Sequence, residues 1–325
     1  MNLSRRRLLK LAAATAALPN PYRLAHANAY PSRPVRILVG FAAGGGYDIA
    51  ARLIGQWLSE RLGQPFIVEN RPGAGTNIAT EAAVNAPSDG YTLLMVGLPN
   101  ASNASLYTNL KFNFMRDIAP VAGIHREPFV VETNLAVPVR TMREFISYAD
   151  ARPGKVNMAS AGVGSGNHLA GALFEMMTGI KLTHVPYRGA SLALADLLGG
   201  QVQVMFASTS SSIGYVTAGK LRPLAVTTAT PLSTLPDTPT LAETVPGYEF
   251  SFWNGIGVRS GTPVEIIETL NKEINAALAD SKFKVQLAEL GGAALPGSPT
   301  EFGKLIADET EKWRKVIRDA KITLS

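Results

Sequence analysis

The 325-residue sequence contains no cysteine. This absence excludes disulfide bonds, thiol nucleophiles, cysteine metal ligands and lipid attachment through a lipobox cysteine. Histidine is scarce too: there are four, and no pair of them has the close spacing that is typical of a metal site. We therefore expect neither a bound metal ion nor a cofactor.

A net charge is also lacking once the first 27 residues are set aside. That segment holds five basic residues and no acidic one, and removing these five from the 31 basic residues of the chain leaves 26 against 25 acidic residues. The remainder therefore has a net charge of about +1. Because no basic block remains, we expect no binding to nucleic acid.

The first 27 residues have the pattern of an export signal. Ser4–Lys10 is basic with a twin-arginine motif, and Leu11–Leu18 is apolar but too short to span a membrane. Ala25-His26-Ala27 is a cleavage site of the A-x-A type, with Ala27-Asn28-Ala29 as an alternative. We therefore predict a periplasmic protein with a signal peptide over residues 1–27. The arginine motif favours the Tat route over Sec, although three arginines also fit the basic start of a Sec signal.

The remainder is organised by a repeated pattern of strand, glycine turn and helix. Val35–Phe41 is apolar and rich in β-branched residues, which predicts a buried strand, and Gly44–Gly46 then precedes apolar residues at helical spacing. Such a turn offers free backbone N–H groups and the positive end of a helix dipole to an anion. Two interpretations are open here: half of a site for a small carboxylate, or a tight turn without a ligand.

A second unit of this kind follows, with a strand at Lys155–Ser160 and a glycine turn at Ala161–Gly166. The alternation of strands and helices predicts two α/β lobes, each with a sheet flanked by helices. Short strands at Ile118–Ala122 and Phe129–Val131 mark a first crossing between the lobes, and the extended segment Phe250–Val258 marks a second. Two lobes joined in this way form a hinged clamp.

One further segment lies where ligands of open α/β sheets are found. Leu98–Ser105 follows the carboxyl end of a predicted strand, and we expect it to be polar and irregular. Asn100, Ser102 and Asn103 are candidate ligand contacts, and a solvated loop is the alternative.

Patterns for catalysis are missing. No G-x-S-x-G motif is present, Gly44–Gly46 is not followed by the Lys-Ser/Thr of a phosphate-binding loop, and Gly162-x-Gly164-x-Gly166 differs from the dinucleotide fingerprint. Ser160, Ser165 and Asn167 are neutral hydrogen-bond donors without a base beside a nucleophile. This set favours binding over turnover, so we do not expect an enzyme.

Several ordered motifs together resemble the Bug-type solute-binding proteins, the extracytoplasmic components of tripartite tricarboxylate transport systems. The match runs from about Tyr30 to the C-terminus. Its landmarks are YPSRP at 30–34, FAAGGGYD at 41–48, ENRPGAG at 69–75, DGYTL at 89–93, ASAG at 159–162, HLAG at 168–171, HVPY at 184–187, DLLGGQV at 196–202 and AGKLR at 218–222.

The resemblance implies a type II periplasmic binding protein fold, an α/β architecture with Venus-flytrap closure. Lobe 1 would comprise residues 28–130 and 255–325, and lobe 2 residues 131–254. Family ligands are small carboxylates, so we expect a dicarboxylate, a tricarboxylate or an aromatic acid in a cleft between the lobes. The ligand-binding residues that we carry over or add are Phe41, Ala42, Gly45, Gly46, Tyr47, Asp48, Asn100, Ser160, Gly164, Ser165, Asn167, His168 and Ala207.

Alternatives stay open at three of these residues. Tyr47 stands where the family often has a small hydroxyl residue, and its ring either lines the cleft and favours a flat acid or lies on the surface. Asp48 either contacts the ligand or complements the start of the helix. His168 either donates to a ligand anion or has a structural role at a helix terminus.

The sequence also departs from the family pattern at Ala207-Ser208, where a polar pair with an aspartate is common. Because this aspartate is missing, the case for an amine-bearing ligand is weaker. As partners we expect a two-subunit membrane permease or a sensor kinase, with the protein itself a monomer. An exported enzyme that acts on a carboxylate is the remaining rival.

Overall fold

The computed structural model describes residues 30–319 and residue 322. The predicted signal peptide, residues 1–27, lies outside the described residues. The ten strands of the described part are β1 (Val35–Val39), β2 (Phe66–Asn70), β3 (Thr92–Gly97), β4 (Ile118–Asn134), β5 (Asn157–Ser160), β6 (Thr183–Pro186), β7 (Val204–Ser208), β8 (Leu221–Val226), β9 (Ser251–Arg259) and β10 (Ala293–Ala294).

Helices cover the faces of the sheets. In the described part they are α1 (Gly46–Leu62), α2 (Asn77–Val84), α3 (Leu98–Leu106), α4 (Phe114–Asp117), α5 (Met142–Asp150), α6 (Gly166–Thr178), α7 (Ala190–Leu198), α8 (Thr209–Thr217), α9 (Val264–Ala279), α10 (Ser281–Glu289) and α11 (Pro299–Asp319). Both predicted units of strand, glycine turn and helix are present, β1 with α1 and β5 with α6. The first helix ends at Gly63, whose left-handed backbone (φ 70°) lets its N–H donate to the carbonyl of Ser59.

The strands are hydrogen-bonded in the order β2-β1-β3-β9-β4-β7-β5-β6. In lobe 1, β1 is parallel to β2 and β3, while β9 is antiparallel to β3. In lobe 2, β5 is parallel to β6 and β7, and β4 is antiparallel to β7 and β8. The inner parallel strands β1, β3, β5 and β7 are mostly buried and have apolar sequences, whereas the edge strands β2 and β6 are partly exposed.

A single long strand carries the chain from lobe 1 to lobe 2. β4 pairs with β9 as far as Pro128 and with β7 and β8 from Phe129 onward. The prediction of two short strands here was wrong, because Gly123 to Pro128 continue the same ladder through two register shifts. The lobe boundaries at residues 130/131 and 254/255 stay predictions.

The segment Leu98–Ser105 is not irregular, as the sequence predicted, but forms most of α3. Its polar residues are buried because they bond the backbone around them. Asn100 Oδ1 accepts from the Gly97 N–H at 2.9 Å, and its amide donates to Thr80 Oγ1 at 2.9 Å. The polar composition that suggested a loop is therefore the composition of a capped, buried helix start.

Glu132 on β4 provides a test of the buried core of lobe 2. Its carboxyl is fully buried, and burial raises its pKa to about 8. The folded protein therefore keeps this proton at pH values where the unfolded chain has lost it, and stability falls as the pH rises from about 4.5 to about 8. Between pH 5 and pH 8 we expect the wild type to lose on the order of 3 kcal/mol in free energy of unfolding because of this carboxyl. Glu132→Gln should not show this loss, as measured by urea unfolding at the two pH values.

The exposed Glu268→Gln on α9 is the matched control, and it should keep the wild-type pH profile. A Glu132→Gln protein that loses as much stability as the wild type between the two pH values would contradict the assignment.

Candidate functional site

A pocket lies between the lobes where three helices begin. Helices α1, α6 and α8 start at its wall, from Gly46, Gly166 and Thr209. The cavity is small in this structure, with a volume of about 30 Å³. Its lining comes from both lobes: Phe41, Gly45, Gly46, Tyr47, Phe129, Ala161, Ser165, Gly166, Asn167, Ala190, Ser208 and Phe252.

Four aromatic rings lie in the wall. The Tyr47 ring lies 4.9 Å from that of Phe41 and 4.9 Å from that of Phe252, centroid to centroid. Phe129 stacks on Phe252 at 5.9 Å. No arginine, lysine or histidine lines the pocket in the part of the chain that the structure describes. The pocket is therefore suited to an apolar or flat body rather than to a highly charged one.

The starts of α1 and α6 bring backbone N–H groups to the pocket. The first N–H groups of α1 and α6 have no partner within their helices, and the dipole of each helix adds positive potential there. No side chain caps α1, since its N-cap is Gly45. The Asn167 side chain is already used, because its amide donates to the Phe206 carbonyl at 2.6 Å. An anion would thus be held by backbone donors from opposite lobes.

Asp48 turns away from the pocket and holds the first glycine turn. Its carboxylate accepts from the Gly44 N–H at 2.9 Å, from Arg52 through two bonds at 2.9 Å and from the Asn70 amide at 3.0 Å. Burial raises the pKa of this carboxyl, but these hydrogen bonds outweigh it and hold the pKa below its ordinary value. Asp48 therefore stabilises the conformation of the first glycine turn and does not line the pocket.

The buried His168 and the half-buried His184 form a pair behind the second turn. The His168 ring stacks on His184 at 4.0 Å, its Nδ1 accepts from the Gly164 N–H at 3.2 Å, and His184 Nε2 lies 2.6 Å from Ser160 Oγ. Burial, and secondarily the neighbouring His184, lowers the pKa of His168 to about 3. Burial lowers the pKa of His184 to about 4, so both rings are neutral near pH 7.

The structure brings together some of the residues predicted for the site and leaves others outside. Those that line the pocket are Phe41, Gly45, Gly46, Tyr47, Ser165 and Asn167. Those outside its lining are Ala42, Asp48, Asn100, Ser160, Gly164, His168 and Ala207. The Tyr47 ring lies in the wall and not on the surface.

Sequence reasoning missed half of the wall. The added residues are Phe129, Ala161, Gly166, Ala190, Ser208 and Phe252. Phe129 and Phe252 lie on β4 and β9, the two strands predicted to cross between the lobes, and that position was the available signal.

The lobes touch directly at the edge of the pocket. The Ala42 N–H donates to the Arg188 carbonyl at 3.1 Å, and Ser191 Oγ donates to the Ala43 carbonyl at 2.7 Å. Within the described residues, no helix is long and apolar enough to cross a membrane, and no cluster of acidic or histidine side chains is placed to hold a metal ion.

Comparison with known proteins identifies the family. Residues 50–322 match the tripartite tricarboxylate transporter family receptor, TctC, which is most of the chain. The chain belongs to the TctC family. TctC receptors are periplasmic solute-binding proteins and not enzymes, so the α/β periplasmic-binding fold, the Bug-type membership and the binding function predicted from the sequence are confirmed.

Relatives of this TctC receptor cover nearly its whole length. BugT of Bordetella pertussis is 34% identical over 309 residues, which is 94% of each chain. An R. palustris protein solved with adipate has a TM-score of 0.88 and 37% identity, covering 90% of this chain and 99% of its own. MatC from Rhodopseudomonas palustris with bound malate has a TM-score of 0.85 and 30% identity, covering 89% of this chain and 100% of its own.

Gly46 tests how tightly the pocket wall is packed. A Cβ at this position would lie 2.8 Å from Glu127 Oε1 and 2.8 Å from Ser210 Oγ, closer than van der Waals contact allows. We expect Gly46→Ala to lower the free energy of unfolding by about 1–3 kcal/mol through overpacking, measured by thermal unfolding.

Gly214→Ala on α8 is the control, because a Cβ there meets nothing within 4 Å. It should be neutral or stabilise the protein by roughly 0.5–1 kcal/mol through helix propensity. Equal effects of the two changes would show that the wall is not tightly packed.

Proposed function

We propose that this TctC-family receptor captures a small organic carboxylate in the pocket between its lobes. The observation that carries the proposal is the meeting of two helix starts from opposite lobes, α1 and α6, in a pocket with aromatic rings in its wall. No side chain caps α1, whereas the Ser165 hydroxyl caps α6 by accepting from the His168 N–H. The relatives solved with adipate and with malate support a carboxylate as the ligand class.

In this proposal the carboxylate accepts hydrogen bonds from the first N–H groups of α1 and α6, and the body of the ligand packs among the four rings. Because such a ligand bonds both lobes at once, it has more contacts when the lobes are together. Binding therefore shifts the population toward the closed form. The ring wall favours an aromatic or apolar-bodied acid over a tricarboxylate.

We further infer that the loaded protein delivers its ligand to a two-subunit membrane permease, as the family description implies. A role as the ligand-loaded partner of a sensor kinase is the alternative. Export through a signal peptide over residues 1–27, by the Tat route, remains part of the proposal.

A thermal-shift screen tests the ligand class. Residues 28–325 are unfolded and refolded to remove any carried-over ligand, then mixed with aliphatic di- and tricarboxylates, acidic amino acids and aromatic acids. A ligand at about 100 times its dissociation constant should stabilise the protein by roughly 2.7 kcal/mol, a shift of several degrees. A flat screen on folded protein would contradict carboxylate binding.

Tyr47→Leu tests the ring wall. The substitution keeps an apolar side chain but removes the flat surface between Phe41 and Phe252, so we expect the affinity for an aromatic acid found in the screen to fall about tenfold or more, measured by calorimetry. Tyr47→Phe is the control and should keep the affinity, because the buried Tyr47 hydroxyl has no hydrogen-bond partner in the described structure. An unchanged affinity in Tyr47→Leu would show that the Tyr47 ring does not contribute to ligand binding.

A further inference from the structure

The lobes bond each other directly beside the pocket, at the start of α7. Ser191 Oγ donates to the Ala43 carbonyl at 2.7 Å. The Ala42 N–H donates to the Arg188 carbonyl at 3.1 Å. A Cβ on Gly189 would lie only 2.7 Å from the Ala42 Cβ, so no side chain fits between the two segments. The first glycine turn is therefore held against lobe 2 by the protein's own groups.

The second glycine turn also packs on the opposite lobe. A Cβ on Gly164 would lie 3.0 Å from Asn103 Oδ1 and 2.9 Å from Leu106 Cδ1, both of which belong to α3. A Cβ on Gly75 would lie 2.8 Å from the Val163 carbonyl oxygen. Both turns that bring helix starts to the pocket are thus in close contact with the other lobe.

These contacts limit the width of the pocket. Gly45 and Ala190 line it from opposite lobes, and a Cβ on Gly45 would lie 3.5 Å from the Ala190 Cβ, in ordinary van der Waals contact. The pocket volume is about 30 Å³. A water molecule needs about 10–15 Å³, so this volume holds roughly two or three waters. Dicarboxylates and aromatic acids have many more heavy atoms and do not fit in the pocket at this width.

The aromatic rings leave little freedom to widen the pocket by themselves. The rings of Tyr47 and Phe252 are 4.9 Å apart, centroid to centroid. Phe129 lies 5.0 Å from Phe250, which is outside the pocket lining. All four side chains are buried, so turning a ring away would leave a cavity or overlap a neighbour. A ligand therefore gains its space by separating the lobes, and the Ser191 bond spans the gap that must widen.

We propose that the hydrogen bond from Ser191 to the Ala43 carbonyl competes with the ligand, so that Ser191 lowers the affinity of the pocket for every acid it takes. This inference rests on the proposed function: the form that a ligand bridges is closed, but wider than the one described here. A bond present only in the narrower form reduces the fraction of molecules able to bind, and the apparent affinity falls with that fraction. Because Ser191 does not line the pocket, it acts on affinity and not on the choice of ligand.

Ser191→Ala tests the competition by calorimetry on the refolded protein. We expect it to raise the affinity for each carboxylate found in the screen by the same factor, about two- to tenfold, the range for the loss of one neutral hydrogen bond. Ser281→Ala is the matched control, because Ser281 is the exposed first residue of α10 and lies outside the pocket lining. It should leave the affinities unchanged.

A disulfide across the same contact gives an independent test, because the chain has no cysteine of its own. A Cβ on Gly44 would lie 3.5 Å from the Ser191 Cβ, within the range of about 3.5–4.5 Å that disulfides need. In Gly44→Cys/Ser191→Cys we expect saturating ligand to slow disulfide formation by oxidised glutathione severalfold, since the ligand holds the two segments apart. The φ of 82° at Gly44 strains a cysteine there, but this strain is common to the samples with and without ligand.

Two results would overturn the proposal. One is a Ser191→Ala protein whose affinity is unchanged or lower. The other is a ligand that speeds disulfide formation or leaves its rate unchanged, because the ligand and the Ser191 bond then occur in the same form. If the double variant does not fold, the affinity of Ser191→Ala decides alone. Failure of the proposed function looks different: the folded wild type then binds no carboxylate at all, and the inference about Ser191 falls with it.

Discussion

The structure depends on one property of the α-helix: the N–H groups of its first turn have no partner within the helix. In this receptor, strands from both lobes end at one cleft, and the helices that follow them begin there. In the proposed site an anion is therefore held by backbone donors and needs no arginine or lysine. Asp48 bonds the first turn through the Gly44 N–H and Asn167 bonds the second through the Ala161 N–H, so these turns set the positions of the donors.

The aromatic rings of the pocket limit what such a site accepts. Rings of Phe41, Tyr47, Phe129 and Phe252 supply contact area without charge, so a ligand body must be largely apolar to gain from them. Two relatives that share this fold were solved with different ligands, adipate and malate.

Most helices and strands of this fold were predictable from the sequence, because hydrophobic spacing, glycine turns and capping residues act over a few positions. Thr141 before α5 is an example: its Oγ1 accepts from the Glu144 N–H at 3.1 Å, and the Thr-x-x-Glu pattern typical of such a helix start is visible in the sequence. The wrong secondary-structure predictions concern segments whose local sequence pattern fits two different structures. Leu98–Ser105 has the polar residues of a loop, but burial against Gly97 and Thr80 makes them caps of α3.

The sequence by itself determined the class of protein, the repeated strand, turn and helix units, and the side of the cleft formed by Phe41 to Tyr47. The tertiary structure decided which side chains complete the pocket. Phe129, Ser208 and Phe252 reach it from strands far apart in the chain, and Glu127 bonds Ser210 across 83 positions. Local propensities carry no information about such meetings, because the register of β4 against β7 and β9 sets them only when the sheets form.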